Sequence, residues 1–269
     1  MKEIIKVSCG QFFPKFGDTA GNLEQVYRMS EEAQSDLIVF PELASSGYDF
    51  HDHEEAQSLA LDLVDGPEVY KLAEAAKNTG THIVLGLPER SLDKVYNSTV
   101  LIEPGGQVTI YRKLHLFDKE KDIFDPGNAQ LSVVETEIGR IGLMLCFDWI
   151  FPEVTRMLAL LGAQIICHPA NLVLDYCQRA MFARAVENGV FILTCNRIGA
   201  EARTGRELSF TGCSQILSNR GGLLAKADSD SEENISAEIT PVAADDKMIT
   251  ETNHLINDRR TEFYGGLVK

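Results

Sequence analysis

Short apolar runs alternate with amphipathic stretches over the first hundred residues. Residues 4–11 alternate loosely, as a strand does, and residues 18–22 carry turn chemistry. From 23 to 33 the apolar positions recur at helical spacing. Leu37-Ile38-Val39-Phe40 reads as a short buried strand stopped by Pro41, followed by a loop at Gly47 and an acidic, His-rich stretch at 49–55. Gly66-Pro67 opens a helix to about Lys77, since proline suits a first helical turn. Residues 81–86 are the next strand.

The middle of the chain is richer in hairpins. Residues 96–102 and 107–111 flank Pro104-Gly105-Gly106, and 131–136 and 140–146 flank Ile138-Gly139. Helices are predicted over 152–161 and 177–188, with Gly189 where a helix-ending glycine belongs. Strands are predicted at 165–167, 191–195, 213–217, 223–227 and 235–239. The polar stretch 228–234 reads as a solvated turn, and 245 onward as a polar helical part before Glu262-Phe263-Tyr264-Gly265-Gly266. Early alternation of strand and helix with later hairpins predicts layered α/β architecture, two mixed sheets between helices. With no Pro/Ser-rich linker and no internal repeat, residues 1–269 read as one domain. Its tail, about 245–269, carries two aromatics that must pack on its own body or another subunit.

Composition narrows the function classes. The 269 residues are 44% hydrophobic and 24% charged, the make-up of a folded globular chain. A net charge of −15 argues against a nucleic-acid surface or docking on anionic lipid. No apolar run is long enough to span a membrane, and the N-terminus passes straight into a strand pattern without a leader signature. The six cysteines form no CxxC pair, and most lie in apolar runs. Free thiols in a reducing, cytoplasmic setting are therefore expected.

Three residues are placed for chemistry. Cys146 ends an apolar strand just before a helix, where a thiolate and an oxyanion would find backbone N–H groups. Glu42 stands past the strand that Pro41 stops, where half-apolar surroundings would raise its pKa. Lys113 follows a hairpin strand, and its ammonium suits holding a developing negative charge. Singly, each has a plain reading: a core thiol, a solvated loop carboxylate and a surface lysine. His51 and His53 flank Asp52, but the rest of a zinc ligand set is missing, and a solvated loop is expected. His115 reads as a core histidine bonded to a backbone carbonyl, and Asp148, Arg184 and Glu187 as an ion-pair frame around the Cys146 elbow.

Read together, four segments resemble the nitrilase superfamily of carbon–nitrogen hydrolases. They are Phe40-Pro41-Glu42 with Gly47-Tyr48, Tyr111-Arg112-Lys113-Leu114-His115-Leu116, Cys146-Phe147-Asp148-Trp149 with Phe151-Pro152-Glu153, and His168-Pro169-Ala170-Asn171. Phe124-Asp125-Pro126-Gly127 and Arg184-Ala185-Val186-Glu187-Asn188 agree with them, and the likeness runs from the first strand to Asp258-Arg259-Arg260. The resemblance implies an αββα sandwich that pairs into a homodimer or higher homo-oligomer, with the tail reaching across. It maps a Glu-Lys-Cys triad onto Glu42, Lys113 and Cys146 and a second glutamate onto Glu120. Within the superfamily the chain is similar to small, compact nitrilase and aliphatic-amidase members of archaea and bacteria.

The chemistry so implied is acyl transfer through a thioester. Glu42 takes the thiol proton, and Lys113 and the Phe147 backbone N–H meet the oxyanion. Tyr48, Trp149 and Asn171, with Tyr96, are expected to wall a small pocket. No metal or organic cofactor is needed. The expected substrate is a small aliphatic amide or nitrile. N-carbamoyl amines and ω-amides remain open, with Arg179 or Arg203 as candidates to bind a carboxylate. A catalytically idle scaffold is the rival from another class.

Overall fold

The computed structural model describes residues 2–268. Met1 and Lys269, which the single-domain reading included, lie outside them. The elements run in the order β1 (Ile5–Gln11), α1 (Thr19–Ala33), β2 (Leu37–Val39), α2 (His53–Leu59), β3 (Leu61–Asp62), α3 (Pro67–Thr79), β4 (His82–Ser91), β5 (Lys94–Ile102) and β6 (Val108–Arg112). The second half brings α4 (Glu120–Ile123), β7 (Val133–Thr136), β8 (Gly139–Leu143), a 3-10 turn (Cys146–Ile150), α5 (Pro152–Leu160), β9 (Ile165–Ala170), α6 (Cys177–Asn188) and β10 (Phe191–Asn196). A small ribbon of β11 (Ala200–Glu201) and β12 (Leu208–Ser209) follows, then β13 (Gln215–Leu217), β14 (Leu223–Lys226) and β15 (Glu233–Ile239).

Two mixed sheets form. One is ordered β15-β1-β2-β4-β5-β6, with β3 beside β4; the other is β14-β13-β10-β9-β8-β7. Strand pleating sorts each strand's side chains between two cores. Leu37 and Val39 point into the space between the sheets, where they meet Ile141, Leu143, Ile165 and Leu193. Their neighbours Ile38 and Phe40 point the other way, onto Leu23, Val26 and Met29 of α1 and Leu72 of α3. In the second sheet Cys167 and Leu193 face inward, while Ile166 and Ile192 pack on Leu158 of α5 and Met181 of α6. The result is the αββα sandwich expected. Each fully buried Leu, Ile or Phe in these layers contributes roughly 1.5–3 kcal/mol.

Several elements differ from the sequence reading. The turn residues at 18–22 start α1, because Asp18 caps it by accepting the Gly21 N–H. Capping and turning use the same residue types, so a turn signal and a helix start look alike. Asp52 likewise caps α2 through the Glu55 N–H, so the expected loop at 49–55 contains a helix start. The polar helix expected after 245 is instead irregular chain with 3-10 turns at Pro241–Asp245, Thr261–Phe263 and Gly265–Val268. No described helix is long and apolar enough to cross a membrane.

The parallel strands β2, β8 and β9, and β6 at the end of the first sheet, present their carboxyl ends to one edge. Glu42, Cys146, Asn171 and Lys113 follow those ends within a few residues, the edge where α/β sheets place their sites. Two close approaches fix this edge. A Cβ on Gly86 would lie 2.5 Å from the Glu42 Cα, and one on Gly127 would lie 2.3 Å from the Arg112 carbonyl oxygen. Gly86→Ala is therefore expected to destabilise the fold by about 1–3 kcal/mol through overpacking. Urea denaturation checks this; an unchanged midpoint would show that the backbone yields freely there.

Candidate active site

One ammonium organises the site. The Lys113 Nζ lies 2.6 Å from Glu42 Oε1, 2.8 Å from Glu120 Oε1 and 2.7 Å from Glu120 Oε2. Lys113 and Glu42 are fully buried and Glu120 nearly so. Asn97 Nδ2 donates to the same Glu42 oxygen at 2.8 Å. Glu42 Oε2 is thus left buried and without a hydrogen-bond partner among the described residues. The carboxylate is clamped on one side and free on the other.

Glu120 is held more completely. The Tyr48 hydroxyl donates to its Oε1 at 2.8 Å, and the Phe117 N–H to its Oε2 at 3.1 Å. Burial holds the Glu120 carboxyl above its ordinary pKa, with Lys113 opposing and Glu42 adding to the rise. Burial and the two carboxylates also raise the Tyr48 phenol, so it stays a donor. Burial alone would lower the Lys113 pKa, but Glu120 and Glu42 outweigh it and raise it.

Cys146 stands at the strand-to-turn elbow with φ of 39°, in the left-handed region that non-glycine residues seldom occupy. Leu43, beside Glu42, and Asp118, close to Glu120, share this strain. The first bond of the 3-10 turn is donated by Asp148 to the Leu145 carbonyl, so the Phe147 N–H lies ahead of it, beside the sulfur's residue. Burial raises the Cys146 thiol pKa well above its ordinary value. Glu42 and Glu120 add to the rise, while Lys113 and the Asn171 N–H oppose it. The resting sulfur is therefore a neutral thiol in electrostatic contact with all three charged side chains.

A polar scaffold supports the elbow. His168, fully buried, lies 2.9 Å from the Cys146 carbonyl through Nε2 and 3.1 Å from Thr194 Oγ1 through Nδ1. The carbonyl can only accept, so Nε2 carries the proton and Nδ1 accepts from the hydroxyl. Asp148 accepts from Tyr111 Oη at 2.6 Å and from the Leu145 N–H at 2.9 Å, and meets His115 Nδ1 at 2.7 Å. His115 is thus bonded to a carboxylate and partly exposed, stacked on Phe151, instead of being a core residue on a backbone carbonyl. Arg184 pairs with Glu187 and donates to the Trp149 carbonyl, while Asp148 belongs to the Tyr111 and His115 side of the frame.

One cavity adjoins Glu120 and another Cys146. A cavity of about 320 Å3 is lined by Glu120 and Tyr48 with Phe50, Phe124, Thr204 and Arg206 among others. A much smaller one, of about 10 Å3, touches Cys146, Trp149 and Asn171. The expected pocket wall is therefore split: Tyr48 lies on Glu120's side, and Trp149 and Asn171 on the sulfur's side. Tyr96 lines neither cavity. Its ring carries the Arg112 guanidinium 4.0 Å from its centre. Strand alternation gives the site face of β5 to its neighbour Asn97 instead. Arg203 pairs with Glu55, and Arg179 stays on the surface of α6, so neither lines either cavity.

Sequence reasoning missed Asn97, Gly86, Arg197 and Glu201. The buried Arg197–Glu201 pair receives the Tyr48 and Asp49 N–H groups, which fixes the backbone of the tyrosine that holds Glu120. A polar Asn97-Ser98-Thr99 run inside an apolar strand was the available signal.

The carbon–nitrogen hydrolase family model matches residues 6–246. This chain belongs to the carbon–nitrogen hydrolase family. It is 39% identical to a nitrilase of Pyrococcus abyssi over 97% of this chain and 99% of that one. It is 33% identical to an (R)-stereoselective amidase of a Pseudomonas species over 84% and 82% of the two chains. The crystal structure of a carbon–nitrogen hydrolase from Helicobacter pylori superposes with a TM-score of 0.87 at 25% identity, covering 99% of both chains. The fold and the enzyme class are those of carbon–nitrogen hydrolases.

Burial pushes the His168 pKa down to about 4 in this hydrolase, below the 6.5 of a free imidazole. The folded state therefore favours neutral histidine. That stability is fully present above pH 6.5 and is lost as pH falls toward 4, by up to about 3 kcal/mol. His168→Gln is expected to flatten stability between pH 6.5 and 4, read from denaturation midpoints against pH. Parallel curves for variant and wild type would assign the acid sensitivity elsewhere.

Proposed function

We infer that the enzyme hydrolyses small, uncharged amides or nitriles to the acid and ammonia through a thioester on Cys146. The observation that carries this reading is the half-clamped Glu42: one oxygen is bound by Lys113 and Asn97, the other is buried without a partner, and its charge acts on the buried Cys146 thiol. A neutral thiol needs a base at the moment of attack, and the free carboxylate oxygen supplies one.

With an amide, Glu42 takes the Cys146 proton as the sulfur adds to the carbonyl carbon. The charge leaves sulfur for oxygen, where Lys113 and the Phe147 N–H receive it. Losing one such donor typically costs about 10²–10³ in rate. Glu42 then protonates the departing nitrogen, and ammonia leaves a thioester. Water gives a proton to Glu42 and adds to the thioester carbonyl. Collapse expels the sulfur, which recovers the proton from Glu42. Glu120, held by Tyr48 and Lys113, keeps the ammonium in place beside Glu42. With a nitrile the same addition gives a thioimidate whose nitrogen Glu42 protonates.

The lining of the small cavity at Cys146 carries no ionised side chain, which favours substrates with an uncharged acyl chain. The committed Arg203 removes one anchor for ω-amides of dicarboxylic acids. The idle-scaffold reading has no use for two carboxylates and a lysine buried around a strained cysteine.

Cys146→Ala is expected to abolish ammonia release while leaving the circular dichroism spectrum and thermal midpoint close to wild type. Near-wild-type turnover in that variant would remove the thiol from the mechanism. Glu42→Gln is expected to slow acylation and to stall hydrolysis of any acyl-enzyme that forms. Intact mass spectrometry checks both steps; normal rates for the two would exclude Glu42 as the proton carrier.

A further inference from the structure

Asn171 is 4% exposed, yet neither its side-chain oxygen nor its nitrogen has a hydrogen-bond partner among the described residues. A carboxamide buried with both ends idle costs free energy. It lines the same small cavity as Cys146. The remaining lining, Phe117, Phe147, Trp149 and residues 172–174, contains no other side-chain amide, hydroxyl or charge. Glu42, Lys113 and Glu120 do not line it.

That arrangement assigns directions around a reacting carbonyl carbon. The leaving nitrogen must face Glu42 for its proton, and the oxygen must face Lys113 and the Phe147 N–H. The remaining substituent, the acyl chain, is left the cavity that Asn171 lines. At about 10 Å3 that space takes a group about the size of one water molecule.

Building on the thioester reading above, we propose that Asn171 hydrogen-bonds a hydroxyl on the acyl chain, so that hydroxyl-bearing amides and nitriles are the preferred substrates. Asn171 offers both a donor and an acceptor, so a hydroxyl pairs with it, and a methyl in the same place does not. Sites built around an unpaired polar group reject the apolar isostere far more strongly than apolar pockets reject a hydroxyl. A charged acyl chain is disfavoured, because nothing in the lining neutralises it.

The test compares lactamide, each enantiomer separately, with isobutyramide, which replaces the hydroxyl by a methyl. Acetamide and acetonitrile serve as reference substrates, and ammonia release is measured. The wild type is expected to favour one lactamide enantiomer over isobutyramide by about tenfold or more in kcat/KM. Asn171→Leu is expected to bring that ratio to one or below. A wild type that uses the two compounds equally, or prefers isobutyramide, overturns the proposal. An Asn171→Leu variant that slows both equally also overturns it, since a merely structural Asn171 would act that way. If this variant does not fold, the wild-type ratio decides alone. Hydrolysis of a reference substrate without discrimination within the pair sinks only the role of Asn171. No ammonia from any of the four compounds sinks the thioester reading, and this proposal with it.

Discussion

The Lys113 ammonium is the constraint on which the site depends. A lone buried lysine would be driven to lose its proton, and a lone buried carboxylate to gain one. Here one cation serves two carboxylates, so the group as a whole carries less charge than its members. Burial strengthens each interaction because little solvent screens it. The same group leaves no room for a resting thiolate, since one ammonium already faces two carboxylates and a third negative charge would go unbalanced. The sulfur is consequently kept protonated at rest.

Holding that group together takes backbone precision. Glycine at 86 lets β4 lie against the Glu42 backbone, and glycine at 127 lets the chain close on Arg112. Strained residues at Leu43, Asp118 and Cys146 then turn three segments toward one point. The strain is sustained by well-made surroundings: His168 beneath the Cys146 carbonyl, and Asp148 tying the elbow to Tyr111. Rigid supports of this kind hold clustered side chains in one narrow geometry.

Much of this was readable from the chain. The continuous apolar runs at Leu37-Ile38-Val39-Phe40 and around Ile166 and Ile192 marked the strands, because each buries both faces. Glu42, Lys113 and Cys146 were legible as a set by their motifs, each being ambiguous alone. The failures have physical reasons. Tyr96 was taken for Asn97 because a one-residue shift in a strand reverses which face a side chain occupies. The helix starts at Asp18 and Asp52 hid behind turn-like composition. His115 found a carboxylate partner, Asp148, 33 residues away, a pairing that local sequence cannot display. Arg197 and Glu201 act through the backbone of Tyr48, a long-range contact without any local pattern.

The pairing of the two outermost strands has a consequence for how the protein is made. Ile5 lies opposite Ile239, so β1 completes its sheet only with a segment near the other end of the chain. On a ribosome β1 must therefore wait, with one edge uncovered, until residues 233–239 have emerged. Loop-closure entropy over such a span makes this join slow. The nascent chain is most exposed to aggregation in that interval, and chaperone dependence should concentrate there.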